Sequence, residues 1–362
     1  MDFSLTGEQQ AVVDLAAGLF RDHGDDARIR RITESGDVFD AALWQLLAET
    51  GLLGLAVPEE AGGSGLGMLE TALVLEQQGR WLGAVPLWRH QVATLAIARF
   101  AGDALRDALL PGLRDGTRIA SVWSEAGPGG AVAARRLGDG WALSGTADAV
   151  VLGPRVAVLL LPVQEGLAVV PMDAAGLTRI EGVATNHEPV ATLRFDAVAI
   201  PAGAMLTPPA GWLEARICLA VAAMQLGVTA EALRRAAAYA SERQQFGRAI
   251  GSFQGVALRM ADAYIEVELL RGGVWNLAWR LDQGLPALAA ARVAKWQAAQ
   301  AGHIVGHTAQ HYHGGVGADL TYPVHRFFLW ARALELTGGG AEVQLARLAA
   351  DELPDIAAEE AA

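Results

Sequence analysis

Apolar residues recur at helical spacing from Met1 to about Gly116, interrupted by "AVPEEAGGSGLGMLE" at 56–70. Gly62, Gly63, Gly65 and Gly67 predict a loop there, and helical spacing resumes at Met68 and runs through Leu73 and Leu75. Thr6 followed by Gln9 has the form of a capping box for the first helix. Between about Thr117 and Leu206 the pattern shortens. "RRLGDGWALSG" sets Gly-Asp-Gly between two short runs, a hairpin signal, while "VAVLLLPV", "GLAVVPM" and "ATLRFDAVAI" have strand length. The pattern predicts about six to eight short strands in a small barrel or sandwich. From Gly211 onward helices return. Ile217, Ala220, Met224 and Val228 share a face, as do Phe246, Ile250, Phe253 and Met260 after "QQFGRAIG". A third helical segment runs from roughly Pro286 to His311, and a fourth starts at Pro323, where proline suits a first turn. The expectation is a mainly α fold with a central β-domain. It has an N-terminal helical domain over 1–116, a small β-barrel over 117–206 and a C-terminal four-helix bundle over 207–362.

Composition narrows the function more than the fold. Hydrophobic residues make up 52% and charged residues 19%, which excludes a disordered chain. A net charge of −12 argues against a nucleic-acid surface but leaves room for a local basic pocket. Cys218 is the only cysteine, so intrachain disulfides and thiolate metal cages are excluded. The opening "MDFSLTGEQQAVVDLAAGLF" lacks a basic leader region and carries Glu8 and Asp14, so it reads as a helix. No uninterrupted apolar run reaches membrane-spanning length. The expected setting is the reducing cytoplasm.

Four motifs carry candidate chemistry. In "SERQQFGRAIGSFQ", Arg243 ends one predicted helix, Phe246-Gly247 turns the chain, and Ile250, Phe253 and Gln254 enter the next. A guanidinium at such a junction can grip a pyrophosphate bidentately, and Gln254 can satisfy an amide or a ribose hydroxyl. A tight helical turn with a surface arginine accounts for the same residues. "HIVGHTAQHYHGGVG" puts His303, His307 and His311 one turn apart, a spacing zinc can use, but no acidic residue joins them before Asp319, and no metal is assigned. After His313, the residues Gly314, Gly315 and Gly317 form a loop whose backbone can approach a ligand closely. In "SVWSEAGPGG", Ser124 can donate to a ligand heteroatom or sit in an ordinary turn.

In this order the pieces resemble the acyl-CoA dehydrogenase family over nearly the whole chain. "MDFSLTGEQQ" is similar to the family's opening helix and "VPEEAGGSGLG" to its Pro-Glu-Glu loop. "SVWSEAGPGG" is similar to its flavin-facing turn, "LRFDAVAIP" to its last β-strand, "RQQFGRAIGSFQ" to its arginine–Phe-Gly–Phe-Gln signature, and "HGGVG" to its late glycine loop. The resemblance implies FAD and a CoA thioester as ligands. It also implies that Arg243, Phe246, Gln254, His311, Gly314 and Gly315 contact the adenine-dinucleotide end, partly on a neighbouring subunit, with Ser124 near the flavin ring. His311 stands where the family usually has Gln, beside Gln310, and Ala149-Val150-Val151 replaces the usual Trp-Ile-Thr.

The family removes the α-proton of its thioester with a glutamate, while the flavin takes the β-hydride. Here that position falls on Gly338 in "LELTGGGAEVQ", and the alternative position, 26 residues before Arg243, is Ile217. Three accounts follow. The stretch "QHYHGGVGADLTYPVHRFFLWARALELTGGG" resembles one class of bacterial subunits that form two-plus-two heterotetramers with a glutamate-bearing partner, associated with bulky, sterol-derived thioesters and with lipid or steroid catabolism. A self-sufficient homo-oligomer would instead recruit Glu335, Glu342 or Glu214, or run an elimination that needs no α-base. A flavin-free structural subunit is the last. The first account is preferred, with an electron-transfer flavoprotein as the expected electron acceptor.

Overall fold

The computed structural model describes residues 4–36, 38–123, 132–151 and 155–352. Helices α1 (Gly7–His23), α2 (Asp26–Glu34), α3 (Ala41–Glu49), α4 (Met68–Trp81), α5 (Leu87–Phe100) and α6 (Asp103–Arg114) come first. Strands β1 (Ile119–Val122), β2 (Val132–Leu137), β3 (Gly140–Val151), β4 (Val156–Val163), β5 (Gly166–Pro171), β6 (Leu177–Val183), β7 (Pro189–Ile200) and β8 (Met205–Leu206) follow. After them come α7 (Trp212–Glu242), the two-residue strands β9 (Gln244–Gln245) and β10 (Arg248–Ala249), then α8 (Gln254–Asp282), α9 (Leu288–His313), α10 (Val324–Leu336) and α11 (Ala341–Glu352). Two compact units result. One takes the chain up to Asp26, Ala72–Leu82 and everything from Cys218 onward; the other takes Ala27–Thr71 and Gly83–Ile217.

In the second unit the β-region is open, and the expected closed barrel is corrected. Two four-stranded sheets run in the orders β1-β4-β5-β8 and β2-β3-β7-β6, and no ladder joins them among the described residues. Closure would need every edge strand to pair on both sides. The edge strand β8 offers two residues, paired Leu167↔Leu206 and Ala168↔Met205, and the edge strand β6 is exposed from Thr178 to Val183. The two sheets meet instead without a ladder, β1 near β3, β2 near β4 and β5 near β7. The Gly138-Asp139 turn joins β2 to β3, as the sequence predicts.

Helix α5 is the core of this unit: every residue from Leu87 to Ala98 is buried. Its His90 is fully buried. The Ala120 N–H donates to Nδ1 (3.1 Å), so Nε2 carries the proton and donates to the Leu113 carbonyl (2.8 Å). Trp44 stands edge-on to the imidazole at 4.9 Å and donates to the Gly116 carbonyl. Burial drives the His90 pKa down to about 4.

In the first unit α1 begins with the full capping box at Thr6 and Gln9. Helices α4 and α7 meet backbone to backbone. A Cβ on Gly79 would lie 2.1 Å from the Met224 carbonyl oxygen, and one on Gly227 would lie 1.9 Å from that of Glu76. Helix α7 has the length and hydropathy of a membrane span, but 83% of its most apolar window is buried inside the protein, as befits a core helix. Helix α9 packs against α8, α10 and α11. The helical spacing of Phe246, Ile250 and Phe253 misleads: a hairpin and a 3-10 turn occupy 244–252, and α8 starts only at Gln254.

Candidate functional site

The last turn of α7 sets the first corner of the site. The Arg243 N–H still donates to the Tyr239 carbonyl (2.9 Å), and the Arg243 carbonyl accepts from the Ile250 N–H (2.8 Å), closing the β9–β10 hairpin. Phe246 and Gly247 form its tip with φ of 52° and 80°. Two positive φ values in a two-residue loop match the twist of a hairpin, and a non-glycine residue there is strained. The strain presents an aromatic ring outward, because Phe246 is 91% exposed. Phe253 stands edge-on to it at 6.2 Å, with the Arg248 guanidinium 4.0 Å from the Phe253 ring.

The ends of α8 and α9 join this corner. The Tyr312 hydroxyl donates to the Gly255 carbonyl (3.3 Å), fastening the last turn of α9 to the first turn of α8 beside Gln254. His313 is stacked on Tyr239 at 4.5 Å, fastening the same turn to α7. Gly314 then turns the chain with φ of 58°. An added Cβ at Gly314 or Gly315 meets nothing within 4 Å. Arg243, Phe246, Gln254, His311, Gly314 and Gly315 are therefore all exposed around one end of the bundle. Exposed guanidinium, amide and imidazole groups beside open glycine backbone fit a phosphate-bearing dinucleotide such as FAD. Ser124 lies outside the described residues.

The second corner is the turn between α10 and α11. Gly338 and Gly339 have φ of 72° and 104°, values that disfavour a side chain. The Gly338 carbonyl accepts from Gln344 (2.8 Å) and Arg347 (3.2 Å). Lys295, 1% exposed, donates its ammonium to the carbonyls of Glu335 (2.9 Å) and Gly339 (3.0 Å). A cation at the end of α10 suits the helix dipole. The three carboxylates of interest have separate settings. Glu335 pairs with Arg332 and lies 3.6 Å from His303; Glu342 is exposed in the first turn of α11; Glu214 lies in the first turn of α7, in the other unit from Gly338. Ile217 is buried.

The histidine stripe divides by surroundings. Arg332 donates to His303 Nδ1 (2.8 Å), His303 and His307 rings lie 4.6 Å apart, and His307 packs edge-on to Phe328. Partial burial, then His303 and Arg332, hold the His307 pKa below the ordinary imidazole value. In the strand-region segment that replaces Trp-Ile-Thr, Ala149 has φ of 53° beside a register shift, and Val150 is buried. The sequence marks His313 as a helix end opening into the glycine loop, but not the aromatic box it forms with Tyr239 and Tyr322, and not Lys295. Lys295 had a visible signal: it is the lone acid or base between Arg292 and His303 in an alanine-rich helix.

Family models for the acyl-CoA dehydrogenase N-terminal domain and C-terminal domain match residues 6–117 and 214–353. Acyl-CoA dehydrogenase FadE27 of Mycobacterium tuberculosis is 36% identical, over 96% of this chain and 98% of its own. Among solved structures, a variant of the Tcur3481–Tcur3483 steroid ACAD is 41% identical, with a TM-score of 0.90 over 98% of both chains. The ChsE4–ChsE5 complex from M. tuberculosis is 36% identical, with a TM-score of 0.93 over 98% of this chain and 99% of that one.

Proposed function

The chain belongs to the acyl-CoA dehydrogenase family, a family of FAD-using oxidoreductases, and from that membership we propose that it is the base-lacking subunit of a heteromeric acyl-CoA dehydrogenase. Its reaction is α,β-dehydrogenation of a CoA thioester with a bulky, sterol-like acyl group, in the cytoplasm. A homologous partner subunit brings the glutamate, and an electron-transfer flavoprotein takes the electrons. The two similar structures are heteromers, one described as a steroid ACAD, which supports both the partner and the substrate class.

One observation carries this reading: glycine occupies position 338, in a turn whose backbone disfavours a side chain. Its φ of 72° disfavours glutamate, and its carbonyl is already held by Gln344 and Arg347. Glu335 is engaged by Arg332, the residue one helical turn before it, which turns its carboxylate to an ion pair on α10. Loss of a positioned general base costs on the order of 10²–10⁴-fold in rate. The chain's own contribution lies at the other corner. Arg243 donates to the pyrophosphate, Gln254 and His311 offer amide and imidazole groups to the ribose or adenine, and the Gly314-Gly315 backbone admits the nucleotide closely. FAD, when bound, supplies the hydride acceptor.

The test is the native mass of the tagged protein drawn from its own cells, with flavin counted in the same spectrum. A tetramer holding a second, homologous chain is expected. In that complex Gly338→Glu leaves the rate within about twofold, against the 10²–10⁴-fold worth of a working base. A homo-oligomer with full activity, or a large gain from the substitution, overturns the proposal.

A further inference from the structure

His313 is the one buried histidine in the first unit whose two ring nitrogens are treated unequally. Nδ1–H donates to the Ala309 carbonyl (2.8 Å), which fixes the tautomer and leaves Nε2 as an acceptor. Nε2 is buried and has no hydrogen-bond partner among the described residues, and the whole residue is 3% exposed. The ring lies stacked on Tyr239 at 4.5 Å and tilted against Tyr322 at 5.3 Å, while Tyr239 and Tyr322 meet edge-on at 6.5 Å. Directly after it, Gly314 closes α9: its N–H donates to the Gln310 and His311 carbonyls. The boxed imidazole is thus the residue from which the Gly314–Ala318 turn departs, and its stacking partner Tyr239 accepts the Arg243 N–H through its backbone carbonyl.

A proton on Nε2 would create a buried donor with no acceptor. The faces of Tyr239 and Tyr322 attract a cation, which works against that penalty. The charged and titratable groups around the ring work the other way or are engaged. Arg235 on α7 repels a cation at His313, and its counter-ion Asp26 is held by it at 3.1 Å. Tyr322, itself pushed up by burial, also senses Glu242 and Asp26. Burial outweighs the favourable contacts, and His313 is held below the ordinary imidazole value.

We propose that His313 is a positioning residue for the nucleotide corner: as a neutral imidazole in the Tyr239–Tyr322 box it holds the Gly314–Ala318 turn in its receiving shape, and on protonation it leaves the box and releases the turn. Nucleotide retention is then coupled to pH through a residue that touches no ligand atom. This inference rests on the reading that the corner receives FAD.

The experiment follows retained flavin in the complex as isolated, titrated from about pH 8 down to the onset of acid unfolding, for the wild type, His313→Phe and His313→Gln. Phenylalanine keeps the aromatic slab and cannot take a proton; glutamine keeps polarity without a ring and serves if phenylalanine disturbs folding. Below the pKa of His313, wild-type apparent affinity for FAD is expected to fall about tenfold per pH unit, while the variant profiles lack that limb. Equal slopes in wild type and variants overturn the proposal. If the wild type holds no FAD at any pH, the cofactor reading fails instead. Hydrogen exchange of the Gly314 amide then decides the role of His313. Faster wild-type exchange than in His313→Phe at low pH alone supports the role; the same ratio at every pH rejects it.

Discussion

The two most deeply buried histidines differ in one nitrogen. His90 uses both: Nε2–H reaches the Leu113 carbonyl and Nδ1 takes the Ala120 N–H, so its imidazole ties α5 to the end of α6 and the start of β1. His313 uses one, and its other nitrogen is buried without a partner. Both are pushed toward the neutral form by burial, but the reasons to keep them differ. A fully paired buried polar group stabilises its neighbours, and removing it orphans them. A half-paired one is a cost the fold carries, and such costs gather at sites that bind or respond.

Breaking His90 should have the largest effect on stability. His90→Phe leaves a buried carbonyl and a buried N–H without partners, a loss of about 2–4 kcal/mol in chemical denaturation. The acid limb sharpens the point. The folded pKa of about 4 lies below the ordinary imidazole value of about 6.5. The neutral form's contribution is therefore complete above pH 6.5 and is lost as pH falls toward about 4, amounting to about 3 kcal/mol. That limb should be missing from His90→Phe; an unchanged limb would assign acid lability elsewhere.

Lys295 is the cationic counterpart of His90. Lys295→Met should cost about 2 kcal/mol, because the Glu335 and Gly339 carbonyls lose their shared donor, and exchange should quicken at the Gly339 amide. Arg243→Ala is the smallest for the fold, within about 0.5 kcal/mol of wild type, since the side chain is exposed. Its effect belongs to the ligand: the protein should be recovered flavin-poor. Full flavin occupancy in that variant would remove Arg243 from the nucleotide corner.

The comparison also explains what the sequence made legible. Local rules were sufficient for the Thr6 capping box, the Gly138-Asp139 hairpin and the end of α7 at Arg243, because each is decided within a few residues. The family signature brought Arg243, Gln254, His311 and the glycine turn under suspicion, and the structure gathers them at one end of the bundle. The aromatic box was not legible, since Tyr239, His313 and Tyr322 lie on three segments and meet only through packing. Barrel closure was not legible either: it depends on whether edge strands find partners, and alternation within a strand carries no news of its neighbours. The false helical register over Phe246, Ile250 and Phe253 arose because a hairpin and a 3-10 turn can also space apolar residues three and four apart.

The glycine crossing of α4 and α7 has a consequence for how such a chain can vary. At Gly227 even one methyl group would stand 1.9 Å from the Glu76 carbonyl oxygen and 2.6 Å from the Arg80 nitrogen. Both obstacles are backbone, so no neighbouring rotamer can give way. Gly79 faces the same wall at Met224. Of the single-codon changes available at these two positions, none is small enough to be absorbed, whereas most of the exposed surface can drift freely. Lineages that keep this crossing should vary far less at these two glycines than over the exposed surface.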